Sequence, residues 1–157
     1  MKKYIKFEEE LEKRGYLIFT NKGFSMYPLL RQQKDLMHIK KTQGPLKKYD
    51  APLYKVGDKY ILHRIVKVRE HDYVICGDNC TVKEYGITDK DILGVLVGVT
   101  RNGKYISVTD KKYLFYVHLW CDFLEVRIAI LKGIRLFKRI VKFILKPIKR
   151  GCCNLRN

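Results

Sequence analysis

The sequence predicts a mainly β core preceded by a short helix and followed by amphipathic helices, and three observations carry that prediction. Between Tyr16 and Val108, short β-prone runs recur between Gly, Pro and Asn turn signals. Ahead of them, residues 3–14 place apolar side chains at near-helical spacing among charged ones. After Asp110 turn signals become sparse and the apolar period becomes that of a helix. With 157 residues and 46% hydrophobic content the chain can bury one core. The change at Asp110 divides it into a β-rich domain, residues 1–110, and a basic helical tail, residues 111–157.

The elements follow in order. Tyr4, Ile5, Phe7 and Leu11 line one side of a short helix that Gly15 stops, a scaffold element suited to covering a sheet edge. Tyr16–Thr20 is a strand that delivers the chain through Asn21-Lys22-Gly23 to Ser25. Leu36–Lys40 alternates as a half-buried strand, and Gln43-Gly44-Pro45 ends it. Lys59 to Val68 reads as one long strand with His63 inside it. Arg69-Glu70-His71-Asp72 forms a polar turn with His71 in solvent, and Tyr73–Cys76 is the returning strand. A last hairpin turns at Asn102-Gly103, a favoured tight-turn dipeptide.

In the tail, basic residues recur at 127, 132, 135, 138, 139, 142, 146 and 149. At 100° per residue they fall within an arc of about 140°, opposite Ile134, Leu136, Phe137, Ile140, Val141, Ile144 and Ile148. That separation predicts a basic amphipathic helix ending near Pro147 and Gly151. It would lie in the plane of an anionic membrane through residues 126–150, or pack on the core or a partner. A formal net charge of +17 independently implies an anionic partner. No stretch of about eighteen uncharged apolar residues occurs, so neither a transmembrane helix nor a secretory signal is expected. The five cysteines, at 76, 80, 121, 152 and 153, are then expected as reduced thiols. Cys76 and Cys80 lack two further ligands for zinc.

The chemistry-bearing stretch is Gly23-Phe24-Ser25-Met26-Tyr27-Pro28, where Gly and Pro bracket a serine at a bend. A serine hydroxyl becomes a nucleophile only with a base in hydrogen-bond reach and a group to hold that base. His63 is the leading base, since imidazole titrates near neutrality, with Lys59 and Lys67 as fallbacks. Asp78, in Gly77-Asp78-Asn79, is the favoured orienter because a short side chain on a tight turn is well fixed; Glu84 is the alternative.

Taken as an ordered set, GFSMYP, VGDKYILHRIVKV and YVICGDN resemble the signal peptidase and LexA-type superfamily of serine peptidases over roughly Thr20 to Val99. His63 before Arg64 is similar to the Ser-His branch, the endoplasmic-reticulum and archaeal-type signal peptidases. The resemblance implies a β-rich peptidase core in which Ser25 attacks the scissile carbonyl, His63 is the base and Asp78 or Glu84 holds the imidazole. It further implies that Met26 and Pro28 contact substrate, with no metal or organic cofactor required. The family's second acidic position is Asp, where this chain has Glu84, and most signal peptidases carry a membrane span.

The expectation is therefore a serine endopeptidase that cleaves leader or signal peptides from the cytoplasm, peripheral at the inner face of the membrane, with no specific nucleic acid partner. A self-cleaving regulator would need a DNA-binding module before the serine, for which about two dozen residues are too few. The remaining alternative is a non-catalytic basic module on anionic lipid or nucleic acid.

Overall fold

The computed structural model describes residues 6–42 and 44–151, with side chains described as far as Leu145. Tyr4, Ile5, Gln43, Cys152 and Cys153 lie outside the described residues, as do the side chains of Lys146, Ile148 and Lys149. The chain is 33% strand and 32% helix, and its larger sheet is a curled antiparallel half-barrel.

Helix α1, Phe7–Arg14, carries Glu8, Glu9 and Glu10 in its first turn and Lys13 and Arg14 in its last, the arrangement that complements a helix dipole. Gly15 ends it in the left-handed region (φ 69°), where a side chain would be strained, and its N–H donates to the Leu11 carbonyl at 2.8 Å. Leu11 is buried in the core.

The described residues form nine strands: β1 Tyr16–Thr20, β2 Leu36–Lys40, β3 Pro52–Val56, β4 Lys59–Leu62, β5 Arg64–Val68, β6 Tyr73–Cys76, β7 Glu84–Ile87, β8 Ile92–Arg101 and β9 Lys104–Ser107. The larger sheet runs β1-β2-β8-β3-β4, with β9 also paired to β8, and its path ends are β1 and β4. The smaller sheet runs β5-β6-β7. Asn102 and Gly103 both adopt positive φ (50° and 76°), the backbone that a two-residue hairpin turn requires, and they join β8 to β9.

Lys59–Val68 is not one strand. It breaks at His63, so that β4 pairs with β3 in the larger sheet while β5 pairs with β6 in the smaller one. His63 is the residue at which the chain passes between sheets. Three clusters fill the interior: Leu11, Met26, Leu30, Met37, Ile39 and Leu53 with their neighbours; Tyr54, Ile65, Tyr73, Ile75 and Ile92; and Val66, Val74 and Cys76 with Tyr113, Val117 and Cys121.

The last cluster moves the expected domain boundary. Residues up to Leu124 form one compact unit and those from Glu125 a second. Helix α2, Lys111–Asp122, therefore belongs with the β core, because Tyr113, Val117 and Cys121 on one face are buried against Val66, Val74 and Cys76. Helix α3, Leu124–Gly151, runs through Pro147. Along it Ile134, Leu136, Phe137, Ile140, Phe143 and Ile144 are exposed, as are Lys132, Arg135, Lys138, Arg139 and Lys142. Arg127, first of the expected basic stripe, is buried instead.

Candidate active site

Ser25 lies half-buried in the turn between β1 and β2, where Tyr27 N–H donates to Phe24 O at 3.1 Å and Leu30 N–H to Met26 O at 2.9 Å. Two ties fix this loop. On one side Asp35, fully buried, receives Arg31 Nη2 at 2.7 Å and Arg101 Nη2 at 3.0 Å, and Arg101 also donates to the Pro28 and Leu29 carbonyls. On the other side the Gly77-Asp78-Asn79 turn clamps the serine backbone: Asn79 N–H donates to Ser25 O at 2.7 Å, and Asn79 Nδ2 to Phe24 O at 3.2 Å.

Gly77 explains how closely these pieces approach. A Cβ there would stand 2.7 Å from Cys80 Sγ, 2.8 Å from Ser25 O and 2.9 Å from His63 Cδ2. Only a residue without a side chain lets the turn pack between the serine loop and the imidazole.

His63 is buried, with 8% of its surface exposed. Its Nδ1 lies 2.5 Å from Glu84 Oε1, and Tyr54 Oη donates to Glu84 Oε2 at 2.7 Å. Burial alone would depress the imidazole, but hydrogen bonds with the Cys80 thiol and the Glu84 carboxylate outweigh it and raise its pKa to about 9. The bond from His63 in turn holds Glu84 below the usual carboxylate range against its own partial burial, with Tyr54 assisting. Burial first, and Glu84 second, push Tyr54 well above the usual tyrosine range, so Tyr54 is a hydrogen-bond donor at any ordinary pH.

Asp78 does not hold His63. Its carboxylate is engaged by Arg64, through Nε at 2.9 Å and Nη2 at 2.8 Å, and both residues are fully buried. Arg64 Nη1 also donates to Tyr49 O at 2.9 Å and meets Tyr113 Oη at 3.0 Å. Tyr116 Oη donates to Asp78 Oδ2 at 3.0 Å and Trp120 Nε1 to Asp78 O at 2.7 Å. The favoured orienter is thus corrected: Glu84 occupies that place, and Asp78 ties α2 and Arg64 to the turn that grips Ser25. A guanidinium with no access to water needs a full counter-charge and a filled set of acceptors, and Asp78 supplies most of both.

Ser25 and His63 face one cavity of about 610 Å³, which Met26 and Lys59 also line. Pro28, expected to contact substrate, is not in its wall; the Pro28 carbonyl is directed at Arg101. Lys67 is likewise outside the wall. His38 is held by Tyr16 Oη and, at 2.8 Å, by Thr100 Oγ1 on neighbouring strands, while the His71 side chain is 88% exposed. Among the described residues no group of three or more His, Cys, Asp or Glu is placed to hold a metal.

Two participants were not singled out from sequence. Tyr54 sits on β3, a strand that the basic run Lys47-Lys48 and Lys55 obscured, and no local pattern marks it. Cys80, weighed only as a zinc ligand, is a neighbour of the imidazole; its spacing of three from Gly77 in a turn was the available signal. Comparison of the chain with family models, with curated proteins and with solved structures finds no match.

Proposed function

We propose that the chain is a serine endopeptidase of signal-peptidase-like type, acting on leader or signal peptides by a Ser-His mechanism at a membrane surface. The observation that carries this reading is that Ser25 and His63 line one cavity while Glu84 occupies Nδ1 of the imidazole. With Nδ1 engaged by Glu84, Nε2 is the nitrogen that would serve the serine hydroxyl, with Cys80 as a second neighbour of the ring. Ser25 Oγ attacks the scissile carbonyl as its proton passes to Nε2, and the imidazolium, stabilised by Glu84, returns that proton to the leaving amine. Water repeats the exchange and releases the acyl group from Ser25. The Ser25 backbone N–H would contribute to an oxyanion site.

The raised pKa sets a condition on this chemistry. A base with pKa about 9 is neutral in roughly one molecule in a hundred at pH 7, so turnover rises with pH toward that value. Attachment to the membrane rests on α3, where exposed Ile134, Phe137, Ile140 and Ile144 accompany exposed Lys132, Arg135, Lys138, Arg139 and Lys142. No described helix is long and apolar enough to cross a membrane, and the attachment proposed for α3 is in the plane of the surface.

Treatment with a serine-directed fluorophosphonate, followed by mass mapping, tests the assignment. Labelling at Ser25, absent in Ser25→Ala and reduced in His63→Ala, is expected, with Ser25→Ala as stable as the parent to within about 1 kcal/mol. Labelling that persists in Ser25→Ala overturns it. Vesicle binding without any labelling would leave a non-catalytic basic module as the function.

A further inference from the structure

The cavity beside Ser25 has a shape and lining of its own. Its inner wall is Met26, Leu30, Met37, Leu53 and Leu62, all buried members of the core. Its outer wall is aromatic: Phe7 of α1 stacks on Tyr60 with ring centroids 4.5 Å apart and meets Phe19 at 4.4 Å. A latch holds that wall, since Glu8, next to Phe7, pairs with Lys55 Nζ at 2.7 Å and accepts from Tyr60 Oη. The hydrogen bonds to Lys55 and Tyr60 outweigh burial and keep Glu8 ionised, with its pKa held at about 2.

At about 610 Å³ the space lies within the roughly 300–1,000 Å³ typical of sites that engulf a ligand. A methyl group would leave most of it empty, whereas a branched or aromatic side chain reaches the Met and Leu wall. The two path ends of the half-barrel flank it as well, because β1 contributes Phe19 and Thr20 and β4 contributes Lys59 to Leu62. An extended peptide is the ligand such edges accept, its backbone pairing with one of them while alternate side chains point inward.

We propose that this cavity is a specificity pocket for a bulky apolar side chain, Leu, Met or Phe, carried by an extended peptide within one or two residues of the bond that Ser25 would attack. The proposal rests on the peptidase reading for its orientation and on the cavity alone for its preference. The enzyme then selects against small residues at that position. Each methylene that a pocket accommodates discriminates by about tenfold or more, so Leu is expected to exceed Ala by at least that factor.

Two arms separate this preference from the catalytic assignment. In the first, the full-length Ser25→Ala protein is titrated by fluorescence anisotropy with a fluorescein-labelled all-alanine octapeptide and its eight single-leucine derivatives. At least one derivative should bind tenfold or more tightly than the parent, and Thr20→Trp, which narrows the cavity mouth from an exposed edge position, should erase the gain. In the second, the wild-type protein digests a mixed peptide library, and cut sites should be enriched in Leu, Met or Phe at one position. Equal binding of all nine octapeptides overturns the pocket proposal whether or not cleavage occurs. Enrichment of Ala or Gly at the cuts overturns it while leaving the peptidase intact. An absence of cutting with discriminating binding removes the peptidase and keeps the pocket.

Discussion

Replacing Glu84 by Gln tests the centre of the site, because it keeps a side chain that can bond both His63 and Tyr54 and removes only the charge. The imidazole is raised from its ordinary 6.5 to about 9. At 1.36 kcal/mol per pH unit this amounts to at most about 3 kcal/mol of preference for imidazolium. Burial is the largest single influence and opposes that rise, while Cys80 supports it alongside Glu84, so without the carboxylate the pKa should fall part of the way back toward 6.5. The sign of the stability change follows from linkage. His63 contributes stability that is full below pH 6.5 and lost as pH rises through about 9. Seen from Glu84, whose pKa is lowered, the same interaction is present above the usual carboxylate range and lost as pH falls through the lowered value. It is counted once. Urea unfolding at pH 7 should therefore show the variant less stable by up to about 3 kcal/mol, with the gap closing by pH 10. Imidazole NMR titration of the wild type should give a midpoint near 9, and that of Glu84→Gln a midpoint at least one unit lower. Asp78→Asn is the control: it should leave the midpoint in place but cost about 3–5 kcal/mol at both pH values, since it strands the buried Arg64. A midpoint that Glu84→Gln leaves unchanged, or that Asp78→Asn moves instead, would refute the assignment of orienter.

Gly77→Ala should reduce turnover by at least tenfold, because the new methyl meets the Ser25 carbonyl and the His63 ring at under 3.0 Å and neither can yield without altering the spacing of nucleophile and base. Its stability loss should be about 1–3 kcal/mol by urea unfolding, and unchanged kinetics would show that the turn does not set that spacing. On α3, changing Lys132, Arg135, Lys138, Arg139 and Lys142 together to Gln should weaken sedimentation with phosphatidylserine vesicles by at least a hundredfold, since each cation near such a surface is worth about 1 kcal/mol. Wild-type binding should fall with added salt yet persist in part through the exposed apolar residues, and salt-independent binding would contradict the electrostatic half of this reading.

What could be read from the chain beforehand was what local chemistry determines. Strand β2 follows from alternation and β1 and β6 from short apolar, β-prone runs, and the β8–β9 turn follows from Asn102-Gly103, whose backbone few other pairs adopt. The errors lie where a distant partner decides. β-prone residues run from Lys59 to Val68 with no Gly or Pro between them, so no turn signal shows that the chain changes sheets at His63; what draws β5 away is Arg64, whose carboxylate is fourteen residues further on. Residues 111–124 read as tail because their aromatic density suits any amphipathic helix. Burial of Tyr113, Val117 and Cys121 against the smaller sheet, and the polar tips of Tyr113, Tyr116 and Trp120 directed at Arg64 and Asp78, reveal that α2 belongs to the core.

The choice between Asp78 and Glu84 has the same origin, and adjacency resolves it. Neighbouring side chains in extended backbone point to opposite sides, so His63 and Arg64 cannot share a carboxylate held on one of those sides. Two acids are needed, and burial allots them: the fully buried guanidinium takes the fully buried Asp78, while the imidazole at the cavity takes Glu84, which keeps partial access to solvent. A tight turn was sound reasoning for a rigid carboxylate but chose the wrong cation for it. The rigidity is used differently, since the Asp78 side chain is locked by Arg64 and α2 while the next residue, Asn79, grips the Ser25 carbonyl at 2.7 Å. One turn thus registers the serine loop against the strand junction that presents His63, and the buried ion pair acts on the candidate chemistry through position alone.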